Sequence, residues 1–599
     1  MTLKLTPLVA AALLTACAVQ APDIGYSPPT QPEAASGYSA KPGWATQKFA
    51  VAAANPLATD AGYQVLKAGG SAVDAAIAVQ MVLTLVEPQS SGIAGGAFLL
   101  HFNGKDVEAF DGRETAPAAA DETLFIGADG KPLPFYDAVV GGRSVGVPGT
   151  LRMLELAHRQ YGRLPWPRLF EPAIALAEGG FQVSPRLNTL IRADAHLKKD
   201  PVAAHYFFGA DGEARSVGFN LRNPELAAVL RRVANEGSRA FYEGEVAQAI
   251  VDKVQKHPAN PGRMTTADLS AYQPKQRAPL CHDYQARNRA YRICGFPPPS
   301  SGAIAIGQIL GILSQVDADA LPLRDGLPSA DWLHLYTEAS RLAFADRAQY
   351  LADPDFVQPP GGSWMSLLDP TYLAGRSKLI GPQSMKVAKA GTPDGQKSSY
   401  APAAAQPEFG TSHISIVDAY GNALAMTTTI EDQFGARQMV SVKGGPGGFL
   451  LNNELTDFSF VPADADGKPV ANRVQPGKRP RSSMAPTLVF DKATGRLVMS
   501  GGSPGGALII HFTAKTLYGV LNWGLNAQQA INLPNFASLN GPSLLEQKRF
   551  PPSTVESLRA HGAEVREQEM PSGLQAIQKT ATGFFGGADP RREGVVLGD

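Results

Sequence analysis

The sequence has little cysteine, three residues in 599. That excludes a dense disulfide framework. No Cys-x-x-Cys and no His/Cys cluster at ligand spacing occurs, so no zinc site is expected. Net charge is also lacking, with 54 Lys and Arg against 54 Asp and Glu. This balance leaves no electrostatic footprint for nucleic acid or an anionic surface, and neither is expected as a partner. No internal repeat and no coiled-coil stretch is found. The Gly/Ser stretch EPQSSGIAGGAF at 87–98 lacks the glycine spacing of a dinucleotide fingerprint. No cofactor and no metal ion is called for.

Apolar residues make up 44% of the chain, ample for a large core. No linker separates compositionally different halves, so one large fold is more economical than several domains. At the N-terminus Lys4 precedes an apolar run at 8–14 and then Leu14-Thr15-Ala16-Cys17. The run is too short to span a bilayer. Residues 1–16 resemble a bacterial lipoprotein signal, cut before Cys17, with Cys17 lipidated. An ordinary secretory signal is the alternative. Residues 17–44, rich in Pro, Ser and Ala, read as a flexible tether. No later apolar run has spanning length, which predicts a soluble body in the periplasm, touching the membrane only through a lipid anchor. In an exported protein Cys281 and Cys294 form either a disulfide or a pair of buried thiols. The surrounding RAPLCHDYQARNRAYRICGF reads as two strands and a turn.

Helices are predicted at 60–85, 148–161, 166–178, 224–235, 243–257 and 333–350. Strands are predicted at 98–102, 107–111 and 497–499, and strands dominate 411–500. The mixture predicts a layered α/β architecture.

The organising stretch begins at Thr411. A loose polar run at 381–409 precedes it, and Gly410 leaves its carbonyl open to attack by the Thr411 hydroxyl. Cleavage there would free the Thr411 α-amine, and an N-terminal Thr carries its own general base. The alternative is that Thr411 merely starts a strand. Segments 411–418 and 422–430 read as a hairpin around Ala419-Tyr420-Gly421, with Gly421 left-handed. That register places Thr429 opposite Thr411 on the same face. A two-residue loop would send Thr429 to the other face.

Thr411-Ser412-His413, Gly421-Asn422, Thr427 to Thr429, Leu451-Asn452-Asn453, Asp457-Phe458-Ser459, Arg481-Ser482-Ser483-Met484 and Gly502-Ser503-Pro504-Gly505-Gly506 resemble the small subunit of the gamma-glutamyltranspeptidases, or glutathione hydrolases. Upstream, Glu87-Pro88 to Phe98, Arg113-Glu114-Thr115-Ala116-Pro117 and the stretches 145–149, 297–302 and 346–356 continue the likeness. It implies the four-layer αββα sandwich of N-terminal-nucleophile hydrolases, with a large subunit at 45–410 and a small one at 411–599. It implies Thr411 as nucleophile, Thr429 bonded to its hydroxyl, and Gly505 and Gly506 as oxyanion donors. Arg113, Ser482 and Ser483 would hold a substrate α-carboxylate; Glu454 and Asp457 would hold the α-ammonium. The implied substrate is a γ-glutamyl amide such as glutathione.

Two departures bear on substrate. Glu431 stands where many of these enzymes carry Asn; it suits an ammonium and repels a carboxylate. Segment 459–481 is short, lacks Tyr and carries Asp464 and Asp466, which leaves the site more open. Both traits resemble the cephalosporin and glutaryl acylases of the same superfamily, the alternative substrate class. Gly501-Gly502-Ser503-Pro504-Gly505 also matches a G-x-S-x-G elbow, but Pro504 lacks the N–H that elbow uses. A further alternative is an uncut envelope lipoprotein that binds peptides.

Overall fold

The computed structural model describes residues 38–393, 395, 397–404 and 410–599. The signal, Cys17 and the tether to residue 37 lie outside them, as do residues 405–409 before the expected cut. Residues 38–44, expected within the tether, run along the body instead. The Ser39 N–H donates to the Pro590 carbonyl at 2.7 Å, and Tyr38 lies under the Arg549 guanidinium.

Two seven-stranded antiparallel sheets form the centre. The first runs, in spatial order, through Val595–Gly598, Ala50–Ala53, Ser412–Val417, Ala423–Thr429, Gly96–Phe102, Val107–Gly112 and Lys275–Arg277. The second runs through Trp44–Thr46, Phe584–Ala588, Gln575–Lys579, Leu497–Gly502, Thr487–Asp491, Arg289–Gly295 and Leu280–Ala286. Both are buried on both faces, and the two-residue period sorts their side chains between two cores. Ile414, Ile416, Leu424 and Met426 face the helices Pro56–Lys67 and Ala72–Val86. Val417, Ala423 and Ala425 face the second sheet. Beyond that sheet pack the helices Gly302–Leu313, Ala330–Tyr350 and Ile509–Leu521. The result is a four-layer αββα sandwich.

Three expectations are corrected. The helix expected across 60–85 is two helices. Gly69 turns left-handed at φ +88°, and a Cβ on Gly70 would lie 2.6 Å from Val65. Ser71 and Asp74 then close a capping box that starts the second helix afresh. The segment expected to be helical from 166 enters as a 3-10 turn, Trp166–Phe170, before the helix Glu171–Gly179. Strands do not dominate the whole of 411–500. From 451 to 486 the longest element is the 3-10 turn Glu454–Asp457, because side chains satisfy this backbone instead of a ladder. Asn452, for example, bonds Ala94, Gly146 and Glu454 main-chain groups at 2.8–3.0 Å.

Cys281 and Cys294 pair across adjacent strands and form a disulfide. Arg287 and Asn288, both at positive φ, make the tight turn between those strands.

Candidate active site

The Ser412–Val417 and Ala423–Thr429 strands pair with Ser412 opposite Thr428. Continued by one residue, this register sets Thr411 opposite Thr429. It follows from a three-residue loop: the Asp418 N–H donates to Asn422 O at 3.0 Å, and Gly421 has φ +87°. The two-residue register is excluded. Both threonines share the face that carries His413 and Thr427, bonded at 2.9 Å, and so lie at the mouth of the space between the sheets. The opposing sheet comes close here. A Cβ on Gly502 would lie 2.4 Å from the His413 ring, so only glycine fits.

The two hydroxyls converge on one carbonyl. Thr429 Oγ1 donates to Gly410 O at 2.7 Å and accepts from the Glu431 N–H at 2.8 Å. The accepted bond leaves the Thr429 proton directed at Gly410. Thr411 Oγ1 contacts the same oxygen. Glu431 supplies its N–H at φ +75°, an unusual conformation for a residue other than glycine.

Arg113, Gly410, Thr411, Thr429, Glu431, Glu454, Asp457, Ser482, Ser483 and Gly506 line one pocket, joined by Met484 and Ile509. Every side chain that the sequence assigned to substrate is therefore in one place. Their pairing differs from expectation. Arg113, fully buried, closes on Glu454 and Asp457 and donates to the Pro480 and Arg481 carbonyls at 3.1 and 2.9 Å. The group expected to hold a carboxylate and those expected to hold an ammonium hold one another. Burial would lower the guanidinium, but Glu454, Asp457 and Glu114 outweigh it and keep the cation charged.

Three carboxyls, of Glu114, Glu454 and Asp457, lie on this one guanidinium, and Glu431 lines the same pocket. Burial pushes Glu431 well above the usual carboxylate range, and Asp457, Asp432 and Glu454 add to this. Its Oε2 accepts from Asn453 and, at 3.3 Å, from Thr456. Its Oε1 has no hydrogen-bond partner among the described residues. Glu114, behind Arg113, is pushed up in the same way, by burial first and Glu454 second.

Ser482 and Ser483 sit where the chain passes the Pro297–Gly302 region. Ser482 N–H donates to Pro299 O at 2.9 Å, and Ser483 Oγ accepts from Arg347 at 2.6 Å. Arg347 also donates to Ser301 Oγ at 2.8 Å. The sequence reading missed Arg347, Asn453 and the carboxyl of Glu114 as parts of the site. The stretches 297–302 and 346–356 were noted as family-like without a role, which was the available signal. Gly506 lines the pocket; Gly505 lies one residue behind it, at φ +130° with Phe512 against its α-carbon. Ser503 is fully buried and bonded to the Pro504 carbonyl, which does not suit an exposed elbow nucleophile. No residue of 459–481 lines the pocket.

Among the described residues no group of three or more His, Cys, Asp or Glu is arranged to hold a metal ion, and no helix is long and apolar enough to cross a membrane.

Comparison with known proteins agrees with this geometry. The glutathione hydrolase proenzyme of Bacillus subtilis strain 168 is 37% identical over 563 residues, covering 92% of this chain and 91% of its own. The acylase ACY 1 proenzyme of Pseudomonas sp. strain V22 is 35% identical over 544 residues, covering 89% and 90%. The crystal structure of cephalosporin acylase from Bacillus halodurans superposes with a TM-score of 0.80 at 28% identity, covering 94% of this chain and 97% of that one. The family model described as gamma-glutamyltranspeptidase matches residues 58–599, and the chain belongs to that family.

Proposed function

We propose that the chain is a precursor that cuts itself between Gly410 and Thr411 and then acts as a γ-glutamyltransferase and glutathione hydrolase. The observation that carries this reading is the convergence of the Thr411 and Thr429 hydroxyls on the Gly410 carbonyl. In maturation, Thr411 Oγ attacks the Gly410 carbonyl carbon while Thr429 polarises its oxygen. The C–N bond breaks, the nitrogen takes up the proton given up by the Thr411 hydroxyl and becomes the free α-amine, and water hydrolyses the resulting ester. A small chain of 189 residues (599 − 410) starting at Thr411 remains.

In turnover the freed α-amine takes the Thr411 hydroxyl proton as Oγ adds to the γ-amide carbonyl. The Gly505 and Gly506 N–H groups receive the oxyanion; a donor of this kind contributes about 3–4 kcal/mol. The amine leaves with the proton from the Thr411 ammonium. Water, or an acceptor amine, then attacks the acyl-Thr411 ester. A zwitterionic γ-glutamyl head suits the pocket because it offers a carboxylate to Arg113, Ser482 and Ser483 and an ammonium to Glu454, Asp457 and Glu431. It replaces the ion pairs that Arg113 makes internally.

The likeness to ACY 1 and to cephalosporin acylase supports a second reading as an acylase of larger amides. Side-by-side turnover of γ-glutamyl-p-nitroanilide and glutaryl-p-nitroanilide separates the two, since these differ only in the α-amine. Preference for γ-glutamyl is expected; preference for glutaryl would transfer the protein to the acylases. Thr411→Ala should stay a single chain on a denaturing gel and lose turnover. Normal cutting in that variant would place the nucleophile elsewhere, and activity retained there but lost in Ser503→Ala would favour the elbow. We further propose export and lipidation at Cys17, read by the mass of the N-terminal peptide.

A further inference from the structure

A second charged cluster lies on the other side of Thr411. Ser412, whose side chain points away from the pocket face, donates its hydroxyl to Glu87 Oε2 at 3.0 Å. Glu87 is buried and faces Arg186 across 3.9 Å. Glu593 accepts from the Arg186 main-chain N–H at 3.1 Å and from Asn55 at 3.4 Å. Arg592 completes the cluster. It is 5% exposed, donates Nη1 to the Thr411 carbonyl at 3.4 Å and Nη2 to Pro571 O at 3.3 Å. Its stem is wedged against Gly573, where a Cβ would lie 2.8 Å from Arg592 Cδ and 2.5 Å from Pro504. One side chain thus touches the main chain of Thr411 and packs on Gly573, whose other neighbour is Pro504.

We propose that Arg592 is a positioning residue for the amine that Thr411 acquires on cleavage: it anchors the Thr411 carbonyl, and its positive charge holds the neighbouring amine in the free-base form. This rests on the reading of Thr411 as an N-terminal nucleophile. A residue's nitrogen lies within about 3.6 Å of its own carbonyl oxygen, so Nη1 is roughly 7 Å or less from the amine. An ordinary α-amine titrates near 7.7–8.0, so at neutral pH most of it is protonated and useless as a base. A cation at this distance, in a site closed to water, shifts that equilibrium on the order of one pH unit. Burial and Arg186 bring the Arg592 guanidinium down to about 9, which leaves it charged at neutral pH.

The other charged groups around the amine act as follows. Arg186 adds to the effect of Arg592, and Glu87 and Glu593 oppose it. On the pocket side Glu431, Glu454 and Asp457 oppose it and Arg113 adds to it. His413, two residues along, is pushed by burial down to about 3 and is neutral.

N-terminal sequencing of the processed small chain comes first; a start other than Thr411 overturns the nucleophile reading and this inference with it. With that start established, kcat/KM for γ-glutamyl-p-nitroanilide is followed against pH in Arg592→Gln and Arg592→Lys. The acid limb should move up by on the order of one pH unit in Arg592→Gln and stay within a few tenths in Arg592→Lys. An unmoved limb in Arg592→Gln, with the rate reduced equally at every pH, would leave only a packing role and overturn the proposal. If Arg592→Gln is not cut, the wild-type enzyme decides. Competitive labelling with acetic anhydride, read by mass spectrometry of the small chain's N-terminal peptide, gives the midpoint of the Thr411 amine. A midpoint clearly below 7.7 supports the proposal, and one at or above 8 overturns it.

Discussion

Thr411 separates two clusters built from the same ingredients. On the pocket side one guanidinium, Arg113, meets the carboxyls of Glu114, Glu454 and Asp457, and Glu431 lines the same pocket. On the other side Arg186 and Arg592 meet Glu87 and Glu593. In the second set, with Asp589 and Lys41 alongside, cations and carboxyls are equal in number, and Ser412, Asn55 and Pro571 bond to its members. The first carries surplus acid, two of whose members are pushed up, by burial first and by neighbouring carboxyls second. A balanced buried cluster has no call for a ligand. An unbalanced one has, and its sign names the missing charge as a cation.

Three substitutions would break or sharpen that contrast. Arg113→Ala should have the largest effect. It strips Glu454 and Asp457 of their cation and, on the proposed reading, the substrate of its carboxylate partner. Breaking such a pair costs about 3–5 kcal/mol, so kcat/KM for γ-glutamyl-p-nitroanilide should fall roughly a hundredfold or more. An equal fall in a variant of the balanced side would erase the distinction.

Glu593→Gln should come next and should act on stability. Burial pushes the Glu593 carboxyl up from 4.5 to about 7, with Glu87 adding to this. A raised acid gives stability that is present below the unfolded-state value and is lost as pH rises through the folded one. Between pH 5 and 7 the wild type should therefore lose on the order of 2–3 kcal/mol that Glu593→Gln keeps, seen as a smaller fall in its thermal midpoint. Parallel pH profiles for the two proteins would refute this.

The smallest effect is expected for Asp457→Asn. Loss of one charged partner of the substrate ammonium costs about 2 kcal/mol, roughly thirtyfold in kcat/KM for γ-glutamyl-p-nitroanilide. Glutaryl-p-nitroanilide, which has no ammonium, should be affected less. Equal losses on both would mean that Asp457 serves Arg113 alone.

The sequence made the hairpin that carries Thr411 and Thr429 legible because its signals are local. Gly421 can turn left-handed, Asp418 and Asn422 close the loop, and a period of two then carries Thr429 to Thr411. The membership of the pocket, whose lining comes from six separate stretches of chain, was legible through the family-like motifs. The pairing of Arg113 with Glu454 and Asp457 was not, since roles taken one residue at a time do not reveal how buried charges satisfy each other. Arg347 and Arg592 were invisible for the same reason. Each acts at a site more than 100 residues away in sequence. The irregular run at 451–486 was misread as strand because its apolar residues, such as Leu455 and Phe458, fill a small separate core beneath loops. Only Asn452, Asn453 and Asn472 reveal, in the folded state, what replaces the ladder.

The order of strands in the two sheets has a consequence for assembly. Segments from before and after residue 410 alternate: Ser412–Val417 lies against Ala50–Ala53, and Ala423–Thr429 against Gly96–Phe102. Cutting the chain at that point would open no seam, because each piece supplies edges that only the other can cover. While the chain is whole, its two parts search for one another at the high effective concentration of a tether. Once apart, they would meet at their bulk concentrations, each with bare strands inviting the wrong neighbour. Pieces made separately should therefore aggregate before they pair, and the joined precursor is the form in which this sheet has to be built.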